Sequence, residues 1–124
     1  MKNVVIMLIA ATLGGLSYEI SAVAAEKVKK LSDVQIRARF AGMQLTDGVH
    51  WRDVYDRDGT LRSYSNGTEK VGKWAVERNE LCVYFKEPDD GCYEVSLSGD
   101  RIEMKPSGLG LSIEGILQVP TDRN

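Results

Sequence analysis

The chain has 124 residues, with 18 acidic side chains against 16 basic ones, a single histidine, a net charge of −2 and two cysteines. This length suits one domain, or a leader and one domain. Arginines and lysines alternate with acids in WRDVYDRDGTLR, KEPDD and GDRIEMK, so the basic stripe that holds nucleic-acid phosphates is missing and no nucleic-acid partner is expected.

Lys2 is followed by an apolar run from Val4 to Leu16, a more polar stretch through Ser17, Tyr18 and Glu19, and then Ala22-Val23-Ala24. A positive start, a short apolar centre and small residues at the end are the parts of a secretory signal peptide. A membrane-spanning helix needs about 20 mainly apolar residues, and Glu19 interrupts this run too early. No cysteine stands near the cleavage region to take a lipid. The expected organisation is a signal peptide at 1–25, cleaved after Ala24 or Ala25, and a single disulfide-linked, β-rich domain at 26–124. The mature protein is expected to be periplasmic or secreted, with no stable membrane anchor. Removing the leader takes away Lys2 and Glu19, which leaves the charge balance unchanged.

A short helix comes next. Ser32 with Gln35 three residues on fits a capping box, and Val34, Ile36, Arg37, Phe40 and Ala41 form a broken apolar stripe that stops at Gly42. Its expected task is to cover one end of a sheet with Ile36 and Phe40, since a partner-binding helix would carry a longer apolar face.

From there the chain reads as strands. Period-two runs are predicted at Val49 to Tyr55, Thr60 to Tyr64, Lys70 to Glu77, Leu81 to Phe85, Cys92 to Leu97, Arg101 to Lys105 and Leu109 to Val119. Between them lie Asp56-Arg57-Asp58-Gly59, Ser65-Asn66-Gly67, Arg78-Asn79, Glu87-Pro88-Asp89-Asp90-Gly91, Ser98-Gly99-Asp100 and Pro106-Ser107-Gly108, all rich in turn-forming residues. Turns at this frequency, with no helix between them, predict a mainly β fold. The architecture expected is an antiparallel up-and-down meander of seven or eight strands, either a small barrel or a sandwich, with one short N-terminal helix.

Cys82 and Cys92 flank the Pro88 loop. Structural zinc takes four ligands, and His50 is the one other His or Cys in the chain. A thioredoxin-like pair needs Cys-x-x-Cys spacing. In an exported domain, two cysteines most often pair with each other, so a structural disulfide is expected, with no metal and no cofactor. If Cys82 faces Cys92 across a hairpin, then Leu81 faces Tyr93 and the apolar faces coincide. Glu80 then faces Glu94, an unfavourable like-charge pair, which leaves a diagonal pairing or a bulge at Gly91 as the alternatives.

Gly72-Lys73-Trp74, Leu81-Cys82 and Cys92-Tyr93-Glu94-Val95, preceded by Asp58-Gly59-Thr60 and by the capped helix ending at Gly42, resemble a family of small exported proteobacterial proteins that carry a domain of unknown function. The similarity covers about Leu31 to Leu97. It implies export, a disulfide and a β-rich fold, and brings no catalytic residues with it.

No catalytic constellation stands out. His50 reads as a solvated strand residue, and the paired cysteines offer no thiol nucleophile. Asp53, Asp56 and Asp58 form a close carboxylate group, but a calcium loop would end in glutamate at its twelfth position, where Gly67 stands when the count starts at Asp56. An Asp-Gly turn accounts for the cluster. Asn66-Gly67-Thr68 has the form of a glycosylation sequon and is read here as a turn.

Two stretches are candidate surfaces. Val49, Trp51, Asp53 and Tyr55 share one strand face. If that face points inward, Asp53 must be hydrogen-bonded or line a polar cavity, so Trp51, Asp53 and Tyr55 are the candidate ligand-binding residues. Barrels of about eight strands hold one small ligand or fill with side chains, and for a domain of this size filling is the simpler expectation. Leu109, Leu111, Ile113, Leu117 and Val119 read as one apolar face of a curved closing strand, with Ile116 turned outward toward a partner. The expected function is a non-catalytic binding or envelope-associated module, acting on an unknown protein or cell-envelope component. The alternatives are a carrier of a small apolar ligand, or a hydrolase or hydrolase inhibitor.

Overall fold

The Ser32 side chain accepts a hydrogen bond from the Gln35 amide, and the Gln35 side chain accepts one from the Ser32 amide, which closes the capping box. It opens helix α1 (Asp33–Phe40), in a computed structural model that describes residues 27–121. The signal-peptide reading lies outside those residues. The two-residue strand β1 (Lys29–Lys30) precedes the helix. After it come β2 (Met43–Thr46), β3 (Trp51–Tyr55), β4 (Thr60–Ser65), β5 (Thr68–Glu77), β6 (Glu80–Tyr84), β7 (Gly91–Ser98), β8 (Arg101–Pro106) and β9 (Ile113–Gln118).

Every strand from β2 onward pairs antiparallel with its successor, and β9 pairs back onto β2. The fold is therefore a closed eight-stranded up-and-down barrel, one of the two architectures expected, and closure leaves its strands without free edges. β1 adds to β7, with Lys30 opposite Ser96.

Turn chemistry sets the registers. Asn66 and Gly67 both have positive φ, 51° and 73°, the conformation a two-residue hairpin requires; Ser65 therefore lies opposite Thr68 and Ser63 opposite Lys70. Cys82 lies opposite Cys92 with their sulfurs 2.03 Å apart, and Leu81 lies opposite Tyr93. Glu80 does face Glu94, but each carboxylate has another partner. Lys30 reaches Glu94 at 3.5 Å, and the Ser107 hydroxyl donates to Glu80.

The helix covers one end of the barrel. Ile36 and Phe40 are fully buried, with the Phe40 ring edge-on to Tyr55 and Tyr55 edge-on to Trp74. Val34, counted in the apolar stripe, is exposed. Around this plug the inner face is apolar, with Leu61, Val76, Leu81, Val95, Leu97 and Ile102 all in the core.

Three expectations need correction. A strand that the sequence reading lacks, β2, supplies the closing partner of β9. The strand expected from Val49 begins at Trp51, because the Asp47 carboxylate accepts hydrogen bonds from the amides of Val49, His50 and Trp51 and holds them in a loop. Burial opposes ionisation of Asp47, yet those three donors and the His50 ring outweigh it and keep its carboxyl well below the usual range. Lastly, Leu109 and Leu111 lie in the loop before β9, not on the closing strand, and are almost wholly exposed.

Candidate functional site at the barrel mouth

The inner face changes character along the barrel axis. Alternation along β3 turns Asp53 and Tyr55 inward together, Tyr55 toward the helix plug and Asp53 one step nearer the open end. The hairpin registers place Ser63 beside Asp53 and Lys70 beside Ser63. Three adjacent strands thus contribute a carboxylate, a hydroxyl and an ammonium to one end of an otherwise apolar interior.

These groups line a half-enclosed cavity of about 140 Å³. Its opposite wall is apolar and aromatic, formed by Val83, Phe85, Tyr93, Met104 and Ile113. Asp89 and Asp90, in the loop between β6 and β7, complete the rim. The Asp90 carboxylate accepts from the amides of Phe85 at 2.7 Å and Glu87 at 3.1 Å, so this loop has a defined shape. Lys70 Nζ lies 2.8 Å from Glu87 and 4.9 Å from the centroid of the Phe85 ring.

The electrostatics follow from burial. Desolvation pushes the Asp53 carboxyl above its ordinary value, while a hydrogen bond with Ser63 and the charge of Lys70 act in the other direction. Burial also raises the Tyr55 hydroxyl well above its ordinary value, with the charge of Asp53 adding to the effect. Tyr55 is a wall rather than a titrating group, its hydroxyl turned to Met104 Sδ at 3.9 Å.

The candidate residues divide. Asp53 and Tyr55 line the cavity; Trp51, at the end of the same strand, packs against the core and borders a separate, open depression with Gln44, Thr46 and His50. The barrel is filled at its helix end and hollow at the other. Ser63, Lys70, Phe85 and Tyr93 belong to the site and are not among the candidate ligand-binding residues read from the sequence. The signal that could have found them is the inner face of β4, where Leu61 is followed by Ser63 and Ser65, so a polar mouth is written into the alternation.

The other candidates are placed elsewhere. His50 is exposed in a loop, its Nδ1 2.8 Å from Asp47 Oδ2. Asp56 binds Arg62 at 2.8 Å, and Asp58 accepts from the Thr60 amide, so the carboxylate cluster is shared between two turn contacts and the interior. Among the described residues, the one grouping with metal-ligand proximity is Glu77 with Cys82 and Cys92, and the disulfide occupies both sulfurs. No helix among the described residues is long and apolar enough to cross a membrane.

No protein-family model, curated protein or solved structure matches this chain.

Proposed function

We propose that the protein is a non-catalytic binding module of an oxidising, extracytoplasmic compartment, and that its barrel holds one small ligand at the mouth. The observation that carries this reading is the 140 Å³ hollow above Asp53, close to the roughly 150 Å³ of a cavity that accepts benzene. The leader-like N-terminus and the cysteine pair support the compartment. Ser63 adjoins Asp53 and Lys70 at the mouth, but the Glu87 carboxylate raises Lys70 and keeps it an ammonium, which leaves that hydroxyl without an amine or imidazole base and supports binding over catalysis.

Titration with benzyl alcohol, followed by amide chemical shifts, tests the site. Shifts clustered at Asp53, Ser63, Phe85 and Tyr93 are expected. Unmoved amides there, together with a bare protein mass in native mass spectrometry of material recovered from its own envelope, would reject a ligand-holding barrel.

A second reading, attachment to another envelope component, draws on the loop at 107–112, where Leu109 and Leu111 stand in solvent. Replacing both by serine should abolish whatever binding to purified envelope fractions the intact protein shows. Binding that survives both substitutions excludes this loop.

A further inference from the structure

We propose that the barrel mouth selects an organic cation, a compact ligand with one ammonium group on an apolar body about the size of a benzene ring. This rests on the binding reading above and gives that site its ligand class.

The charges at the mouth are unbalanced. Asp53, Asp89 and Asp90 line the cavity against a single lysine, Lys70. Glu87 binds that lysine from just outside the lining, so four carboxylates surround one ammonium. The field reaches the wall: after burial, the charges of Asp89, Asp90 and Asp53 are what push the Tyr93 hydroxyl upward.

The site already holds an ammonium group, its own. Lys70 Nζ sits between the Glu87 carboxylate and the face of Phe85, within the roughly 6 Å over which a ring attracts a cation. Asp53 shares the cavity with the Ser63 hydroxyl and with a largely apolar and aromatic wall that includes Val83, Phe85, Met104 and Ile113. A neutral ligand filling this space would strip water from Asp53 and return no counter-charge, and an anion would meet three carboxylates. An ammonium set against Asp53, with its apolar body on Phe85, satisfies both walls. Lys70 is the repulsive element in the same design; it weakens every cation and admits only one that reaches past it.

Benzylammonium, benzyl alcohol and benzoate, titrated separately at neutral pH and low salt, distinguish the ligand class from the site. Benzylammonium should bind about tenfold tighter than benzyl alcohol, the gain of a charge-assisted hydrogen bond, and benzoate should bind weakest. Asp53→Asn should remove that advantage and leave benzyl alcohol within about twofold. Lys70→Gln should tighten benzylammonium. Asp89→Asn, a change on an exposed loop, should weaken it by about twofold, as removing a rim charge does; this provides a second readout should Asp53→Asn disturb the fold. Equal or tighter binding of benzyl alcohol or benzoate, or benzylammonium affinity indifferent to both Asp53→Asn and Asp89→Asn, overturns the cation proposal and leaves the cavity standing. No binding of any of the three removes both.

Discussion

Asp33 and Asn79 exchange hydrogen bonds across 46 residues of chain: the Asp33 amide donates to Asn79 Oδ1 at 2.9 Å, and the Asn79 amide donates to Asp33 Oδ1. The first residue of α1 is thereby tied to the β5–β6 turn. Arg37 Nη2 adds a second tie, to the Val76 carbonyl at 3.0 Å. The helix that closes the barrel is held by polar contacts as well as by the burial of Ile36 and Phe40.

Asn79 serves twice, because its φ of 61° lies where few non-glycine side chains are comfortable. Asn79→Gly keeps the turn and loses the side-chain acceptor, a cost of about 1 kcal/mol. Asn79→Ala loses the acceptor and strains the turn, a cost of about 2 kcal/mol. Urea denaturation of the two variants checks this, and equal midpoints would show that the turn tolerates alanine.

Breaking the Cys82–Cys92 bridge should cost roughly 2.5–3 kcal/mol, the loop-closure entropy for a segment this short. The double variant Cys82→Ala with Cys92→Ala, compared with the oxidised parent by chemical denaturation, measures it. A midpoint that does not move would mean that the bridge restrains nothing in the unfolded chain.

Asp53 should make the protein less stable as pH rises. Burial raises its folded-state value, so the folded chain keeps this proton to a higher pH than the unfolded chain does. The stability linked to that proton is complete below the unfolded value and is lost as pH climbs through the folded one. Asp53→Asn should therefore raise Tm at neutral pH by roughly 4–8 °C for each kcal/mol recovered, with little gain at pH 3. Asp58, held low by the Thr60 amide, and Asp90, held low by the Phe85 amide, run the opposite way and lose stability in acid. Comparing variant with parent at each pH isolates Asp53. A lower Tm for Asp53→Asn at neutral pH would contradict the sign.

Gly72 explains the Gly72-Lys73-Trp74 motif. A Cβ there would stand 2.3 Å from the Tyr84 carbonyl oxygen and 2.6 Å from the Phe85 ring, while Trp74 Nε1 donates to the Asp56 carbonyl at 2.8 Å. Glycine lets Phe85 lie down against β5, and the tryptophan ties that strand to the β3–β4 turn. Gly72→Ala should cost about 1–3 kcal/mol, the usual penalty of overpacking. Gly91→Ala, where an added methyl meets nothing within 4 Å, should stay within about 0.5 kcal/mol. Similar urea midpoints for the two would show that β5 and β6 can separate freely.

The local patterns were legible. The capping box at Ser32 and Gln35, the plug residues Ile36 and Phe40, and the register through Cys82 and Cys92 each need only a few neighbouring residues to be read. β2 was not. Its period-two signal is erased because Gln44, Leu45 and Thr46 are all buried, Gln44 being covered from outside by Thr121, which donates to its Oε1. Leu109 and Leu111 misled for the reverse reason: they share the parity of Ile113 and Leu117, yet the Pro106-Ser107-Gly108 segment takes them out of the ladder. Half of the candidate site was visible, since Asp53 and Tyr55 need only alternation. Lys70 and Phe85 meet them through registers set by turns elsewhere, and a one-residue slip in any of those would have turned them to the outside.

The pairing of β9 with β2 bears on how the molecule is made. The ring closes only when its final staple, Ile113–Gln118, finds a partner that left the ribosome some seventy positions earlier, about as distant a contact as this length permits. Until then β2 and β8 each present an unpaired edge, and neighbouring nascent chains can add to it. Completion is thus all-or-none in length: a polypeptide halted before Ile113 is an open, adhesive ribbon rather than a smaller version of the vessel.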